Sequence, residues 1–240
     1  WGIWSIHPDG TNWEPIISLN ASYTYYPTYA QVLTDYNRPN YVPVFMVEAN
    51  YEFEHNVGPV DTTPLSLRKQ EYWSDLSGAT GQLYGNHYTW TFTSGWESHL
   101  DTPGVIQQAH LKALLEPRAW YDLVPDQNHT VVTAGYGTFS DRGYVEDNSY
   151  VTAARTPDGT LVLAYVPTIR TVTLNMTQLS GPVTARWYDP TNGTYTSISG
   201  SPFQNSGSPT FSSPGNNGDG DADWVLVLES PPLAGDFTRD

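Results

Sequence analysis

PVFMVEANYEFE, residues 43–54, is the stretch that decides the fold. In it, four apolar residues, Val44 to Val47, run directly into Glu48. A short apolar run between a proline and a carboxylate predicts a buried β-strand that ends at Glu48. A carboxylate next to such a strand loses part of its hydration, so it must be hydrogen-bonded, paired or protonated. The position of Glu48 therefore raises the question of its partner.

Similar apolar runs flank this strand in the first half of the chain. They are GIWSI, PIISLNAS and GATGQLYG, and they predict strands that end at His7, near Tyr23 and near Asn86. Helical spacing separates them, over 28–36, 65–76 and 103–115. Pro64 and Pro103 each follow a threonine that can cap the helix. Strands that alternate with helices predict a parallel sheet in an α/β domain.

The pattern changes from about residue 129 onward, where helical spacing disappears. About seven short alternating runs follow, among them TLVLAYV, TVTLNM and DWVLVLE, with turn sequences such as TPDG and DPTNG between them. Short strands with such turns predict an antiparallel β-sandwich. The Gly/Ser/Pro-rich segment 201–219 predicts a mobile loop. We therefore predict an α/β domain over 1–122 and an all-β domain over 123–240.

Composition narrows the function. The formal net charge is −15, from 10 Lys and Arg against 25 Asp and Glu, so the basic stripe that nucleic acid requires is missing. No apolar run approaches the roughly 18 residues of a membrane span, and cysteine is absent. We expect no cofactor and no metal. The 9 Trp and 17 Tyr often stand beside polar residues, which is typical of sugar-binding surfaces, although an aromatic core accounts for part of them.

Two features bear on processing and localisation. Four N-x-[ST] sequons, a number that chance can also supply, predict glycosylation of a secreted protein at Asn20, Asn128, Asn175 and Asn192. The chain opens on WGIWSIHPDG, without a starting Met or a signal peptide, so we expect a processed product or a fragment.

Polar and aromatic side chains cluster at the predicted strand ends, where parallel α/β sheets bind their ligands. The second predicted strand, for example, ends at a group of tyrosines, Tyr23, Tyr25 and Tyr26. Any one such residue is more often a packing residue, so the prediction depends on their convergence. The candidate substrate-binding residues are His7, Asp9, Tyr25, Asn50, Tyr51, Asn86, His87 and Trp90.

Glu48 is the candidate catalytic residue. Hydrolysis of a glycosidic bond commonly uses two carboxylates, one as acid and one as nucleophile or base. Glu52 and Glu54 lie too close in sequence to serve as its partner, and we expect them to orient the loop or to touch the substrate. A salt bridge between Glu48 and an arginine is the structural alternative.

Two motifs carry a family resemblance. PVFMVEANYE, followed by LRKQEYWSDLSGATGQLYGNHYTW, resembles the later half of the apiosidase-like glycoside hydrolase domain. ARWYDPTNGTYTSI and DWVLVLE resemble the β-sandwich, labelled collagen-binding, that follows it. The resemblance covers nearly the whole chain. The family pattern R-x-x-x-Y-W-x-x-L-x-G-A-x-G-x-x-Y-G stands here as Arg68, Tyr72, Trp73, Leu76, Gly78, Ala79, Gly81, Tyr84 and Gly85.

The resemblance implies the second half of a (β/α)8 TIM barrel followed by an antiparallel β-sandwich. It also implies that Glu48 is the nucleophile at the end of the seventh barrel strand, and that an acid/base carboxylate ends the fourth strand, upstream of Trp1. Four βα units cannot close a barrel, and an open half exposes sheet edges. We therefore expect a second chain that carries the first half and was produced by cleavage of one precursor; alternatively, the first half is present but not traced.

The predicted function is a retaining, exo-acting glycoside hydrolase whose carbohydrate substrate is a furanoside such as apiose or arabinofuranose. A non-catalytic carbohydrate-binding or adhesion protein is the alternative. A third possibility is a calcium-stabilised module at Asp219, Asp221 and Asp223, although the distal Glu of an EF-hand is missing there and a solvated turn explains the sequence more simply.

Overall fold

The computed structural model describes residues 17–39, 42–58 and 60–230. The strand predicted over GIWSI, together with His7 and Asp9, lies outside the described residues. Within those ranges, no helix is both long enough and apolar enough to cross a bilayer.

The first region contains a parallel sheet, as predicted. Its strands, in the order β1-β2-β3, are β1 (Asn20–Tyr23), β2 (Val44–Glu48) and β3 (Ala79–Gln82). The helices are α1 (Thr28–Tyr36), α2 (Pro64–Asp75), α3 (His87–Trp90) and α4 (Pro103–Leu115). Because α1 and α2 each connect two parallel neighbours, the carboxyl ends of the three strands meet at one edge.

The two predicted threonine caps differ. The Thr63 hydroxyl accepts the backbone N–H of Ser66 at 3.3 Å, so Thr63 caps α2. The Thr102 side chain makes no cap hydrogen bond, because its hydroxyl donates to a Glu52 carboxylate oxygen at 2.6 Å. The other oxygen of Glu52 accepts the backbone N–H of Gly104 at 3.1 Å, so this carboxylate occupies the N-terminus of α4 instead.

The second region forms two antiparallel sheets with a hydrophobic core between them. One sheet has the order β10-β9-β12-β7-β6-β4 and the other β11-β8-β5. The predicted loop 201–219 contains a strand of the second sheet whose Phe211 is only 2% exposed, so that prediction was wrong for this part. The strands are β4 (Val124–Pro125), β5 (Val132–Ala134), β6 (Thr152–Arg155), β7 (Leu161–Val166), β8 (Thr171–Leu174), β9 (Thr184–Tyr188), β10 (Tyr195–Ser197), β11 (Thr210–Ser212) and β12 (Trp224–Glu229).

A second hydrophobic core lies on the other face of the six-stranded sheet and joins the two regions. Trp73 of α2 and Leu114 of α4 belong to the same buried cluster as Leu163 of β7 and Val227 of β12. Tyr72 stacks on Tyr165 of β7 with ring centroids 4.9 Å apart. The six-stranded sheet is therefore buried on both faces, by the three-stranded sheet on one side and by helices on the other.

A buried ion network also joins the regions. Arg68 of α2 is 1% exposed and binds Asp223 through two hydrogen bonds of 2.9 Å each. It also donates to Asp221 and Gln107 at 2.6 Å, and Gln107 donates to Asp219 at 2.7 Å. Asp219, Asp221 and Asp223, the residues of the calcium alternative, are thus hydrogen-bonded to an arginine and an amide. Among the described residues, no group of three or more His, Cys, Asp or Glu side chains could hold a metal ion.

Candidate active site

Glu48 lies at the carboxyl end of β2, the central strand of the parallel sheet. In a regular strand it would share the face of Val44 and Met46, which are buried under α1. The register with β1 shifts beyond Met46, so that Glu48 rather than Val47 pairs with Tyr23. Such an irregularity re-aims a side chain at the end of a sheet. As a result, the Glu48 side chain is partly exposed, unlike those of Val44 and Met46.

Tyr25 is the partner of Glu48 in this chain. Its phenolic hydroxyl donates to Glu48 Oε1 at 2.6 Å, and its ring centroid lies 5.3 Å from that of Tyr23. Burial, and then the hydrogen bond to the carboxylate, raise the pKa of Tyr25 well above its usual value, so the phenol stays protonated and donates. Glu48 makes no arginine salt bridge among the described residues, which goes against the structural alternative.

Tyr51 lies near two carboxylates. Burial raises the pKa of its phenol, and the negative charges of Glu48 and Glu54 raise it further. Its ring packs against Gly85, where a Cβ would lie 2.2 Å from a ring carbon, so only glycine permits this approach. The ring also meets Trp90 edge-on, with centroids 6.4 Å apart. Tyr51 is thus a fixed ring beside the candidate nucleophile.

The two predicted asparagines are buried, and the Asn50 side-chain oxygen has no hydrogen-bond partner among the described residues. Asn50 is 3% exposed, and its side-chain amide donates to the carbonyl of Tyr25 at 3.2 Å. Asn86 is 1% exposed, donates to the Tyr84 hydroxyl at 2.9 Å and accepts the backbone N–H of Tyr88, which caps α3. These contacts are compatible with a positioning role for both residues, and substrate contact by Asn50 and Asn86 stays a prediction.

His87 and Trp90 lie on α3, which follows β3. The His87 Nδ1 lies 3.6 Å from a Glu54 carboxylate oxygen, and the ring is 45% exposed. The Trp90 side chain is 58% exposed, as a stacking surface for a sugar requires. Together they present a cationic or polar group and an aromatic face at the same edge of the sheet as Glu48.

Glu52 holds this edge together. It is fully buried and accepts hydrogen bonds from the hydroxyls of Tyr84 and Thr102 and from the backbone of Gly104. Its backbone N–H donates to the Gly85 carbonyl at 2.9 Å. Of the two roles predicted for Glu52, orienting the loop and touching the substrate, full burial favours the first.

A cavity of about 410 Å³ lies beside Tyr25. Glu48 does not line it, but Tyr25 links the two because its hydroxyl binds Glu48 while its side chain borders the cavity. Asp141 and Arg142 from the second region also line the cavity. These two residues are not among the predicted site residues, because no strand-end pattern marks them in the sequence.

The four sequons differ in exposure. Asn20 is 5% exposed and donates to the Asp35 carbonyl at 3.3 Å. Asn128 and Asn192 are exposed, and Asn175 is partly buried and bonded to Thr177. Glycosylation stays a prediction at all four sequons, and a glycan on Asn20 would displace the buried contacts of that side chain.

Solved structures share this fold. The chain superposes with a TM-score of 0.70 and 22% identity on a structure titled "Glycoside hydrolase", over 85% of this chain and 46% of that one. The same TM-score and identity hold for a glycoside hydrolase family 5 protein from Bacteroides vulgatus ATCC 8482, over 85% and 45%. The chain thus spans about half of each structure. The chain therefore shares the fold of two structures that are titled as glycoside hydrolases.

A family model then makes the assignment narrower. The model "Apiosidase-like, catalytic domain" matches residues 3–122, half of the 240-residue chain. The chain belongs to the apiosidase-like family. Residues 124–229 match the model "Putative collagen-binding domain of a collagenase". No curated protein is significantly similar to the chain in sequence.

Proposed function

We propose that this chain carries the nucleophile half of a retaining glycoside hydrolase, with Glu48 as the nucleophile. The observation that carries the proposal is Glu48 at the carboxyl end of the central parallel strand, where it is hydrogen-bonded to Tyr25 at 2.6 Å and lies close to Tyr51. Membership in the apiosidase-like family supports the reaction class. Family resemblance also favours a furanoside, such as apiose or arabinofuranose, and exo action is part of the proposal.

The geometry suggests how Glu48 acts. Tyr25 binds Oε1, which leaves Oε2 to attack the anomeric carbon as the bond to the leaving oxygen breaks. A second carboxylic acid donates its proton to that oxygen. The same group then takes a proton from water, which attacks the anomeric carbon and releases the sugar and the Glu48 carboxylate. Retention requires the two carboxyl groups about 5 to 5.5 Å apart.

The proposal places the acid/base carboxylate in a part of the barrel that this chain does not contain. The half-length match to the two solved structures supports this, as does the half-buried sheet face of Phe45 and Val47, which further strands would cover. The remaining half would come from a second chain of a cleaved, secreted precursor. If so, this chain alone should release no sugar and should regain activity when it is co-expressed with the rest of its precursor. Activity of the isolated chain would contradict the two-part enzyme.

The test of the nucleophile uses the full-length protein and a panel of 4-nitrophenyl furanosides and pyranosides. Glu48→Gln should lower kcat about 10³-fold or more, because the carboxylate acts in the transition state. A 2-deoxy-2-fluoro glycoside of the active sugar should label Glu48, and mass spectrometry of the digested protein would locate the adduct. Glu116→Gln, an exposed carboxylate after α4, serves as the control.

Near-normal turnover of Glu48→Gln, or an adduct at another residue, would end the assignment. Glycan binding by the wild type without any release of reducing sugar would favour the non-catalytic alternative.

A further inference from the structure

The loop over residues 140–148, in the second region, reaches back to the candidate active site. It is bound to α2 because the Lys69 ammonium donates to the carbonyls of Val145, Glu146 and Asn148 at 2.7–3.2 Å. Ser66, also on α2, donates to the Glu146 carboxylate at 2.7 Å. Burial lowers the pKa of Lys69, which fits an ammonium group held by backbone carbonyls rather than by water.

Helix α1 anchors the same loop at both ends. The Tyr29 hydroxyl accepts the backbone N–H of Ser140 and the side-chain amide of Asn148, each at 3.0 Å. Anchors on two helices therefore hold the loop, while its tip, Asp141 and Arg142, stays exposed. A rigidly held loop with a free charged tip is suited to binding, because little conformational entropy is lost when a ligand arrives.

The tip faces the cavity of about 410 Å³ beside Tyr25. The Arg142 guanidinium lies 5.6 Å from the centroid of the Tyr26 ring, and it makes no ion pair among the described residues. Such a guanidinium, stacked on a ring, keeps its N–H donors available for oxygen acceptors. Tyr23, Tyr25 and Gln31 add rings and an amide to the same lining.

We propose that this cavity is a sugar-binding subsite next to Glu48, and that Arg142 of the second region determines which glycan it accepts. The proposal rests on the proposed function, because it assigns the cavity to the same substrate. The ligand chemistry is oxygen acceptors on a sugar ring, either hydroxyls or a uronate carboxylate. The second region then contributes to recognition as well as to packing.

Binding to an inactive enzyme tests the subsite separately from turnover. Full-length Glu48→Gln protein is applied to a glycan array with neutral and uronate-containing oligosaccharides, and the best neutral and best acidic hits are titrated by calorimetry. Arg142→Ala in this background should weaken binding about tenfold, since a hydrogen bond to a charged group is lost. Arg142→Lys should restore part of the affinity. Arg155→Ala, whose side chain bonds to carbonyls of its own turn, should leave it within twofold.

The two glycan classes separate the two sources of oxygen. A loss with neutral and acidic glycans alike identifies hydroxyl contacts, and a loss confined to acidic glycans that weakens in high salt identifies a carboxylate contact; both support the subsite. Unchanged affinity of Arg142→Ala, or no glycan bound at all, overturns it. If Arg142→Ala binds normally while Glu48→Gln abolishes turnover, the subsite fails and the proposed function stands. If the wild type hydrolyses no glycoside but glycan binding depends on Arg142, the proposed function fails and the subsite stands.

Discussion

At the scale of single residues, two glutamates only four positions apart have different roles: Glu48 is the candidate nucleophile, and Glu52 is a buried structural residue. Glu48 ends a strand, is half-buried and has Tyr25 as its hydrogen-bond partner. Glu52 is fully buried and binds two hydroxyls and the N-terminus of α4. Both carboxylates occur within PVFMVEANYEFE, and the residue type alone does not distinguish their roles.

This contrast predicts that the two glutamine substitutions change the free energy of unfolding by different amounts. Glu52→Gln should lower the free energy of unfolding by about 1–3 kcal/mol, because a charged acceptor of three hydrogen bonds becomes a neutral one. Glu48→Gln should leave stability within about 0.5 kcal/mol of the wild type, since a partly exposed group is changed. Urea unfolding of the two variants measures both values, and equal losses would contradict the assignment of roles.

At the scale of elements, α2 organises the protein although it carries no proposed catalytic group. Arg68 binds the loop before β12, Lys69 binds the 140–148 loop, and Trp73 donates from its indole to the Tyr150 carbonyl at 2.9 Å. The family motif that begins at Arg68 therefore specifies contacts between the two regions. The two acidic residues of this helix, Glu71 and Asp75, have raised pKa values because burial disfavours their charged forms.

Asp75 makes stability depend on pH. Burial raises its pKa to about 7, whereas an unfolded chain loses the proton near a pH of about 4. The folded state therefore binds more protons between these values, and stability falls as the pH rises through this window. Asp75→Asn should remove this contribution, so that the wild type loses ~3 kcal/mol more than the variant between about pH 4 and 7. Urea unfolding at several pH values measures the difference, and parallel curves would contradict it.

At the scale of the whole molecule, the six-stranded sheet is shared by two cores. Its strands β7 and β12 read LVLAYV and WVLVLE, and nearly every residue in them is buried. Antiparallel sheets commonly leave one face to water, which gives alternating sequences. Here helices of the first region cover the second face, and this explains the continuous apolar runs.

A shared core predicts that the two regions unfold together. Trp73 is fully buried in that core, so Trp73→Ala should destabilise the protein by about 3–5 kcal/mol. Near-ultraviolet and far-ultraviolet circular dichroism should show one coincident transition in wild type and variant alike. Trp90→Ala, at a position that is 58% exposed, is the control and should change stability by less than about 1 kcal/mol. Two separate transitions would contradict a common core.

Local rules were enough for much of this architecture. Thr28–Tyr36 and Pro103–Leu115 form helices over the predicted residues, and β2 ends at Glu48 as the apolar run indicates. The helices and the strand end at Glu48 could be predicted because caps and apolar runs depend on residues that are neighbours in the chain. The family motif could be recognised from its letters alone. The strand at Phe211 was missed, since its surroundings are rich in Gly, Ser and Pro and its burial depends on distant strands.

The sequence by itself determined the alternation of strand and helix, the turn from α/β to antiparallel structure, and the candidate nucleophile. Only the tertiary structure decided that Tyr25 binds Glu48, that Glu52 is a structural residue, that Asn86 is buried and caps α3, and that Arg142 lines the cavity beside Tyr25. The physical reason is the distance along the chain over which each effect acts. Periodicity and capping act within a few residues, whereas burial and most hydrogen-bond partners at the site depend on packing between segments that lie well apart in the sequence.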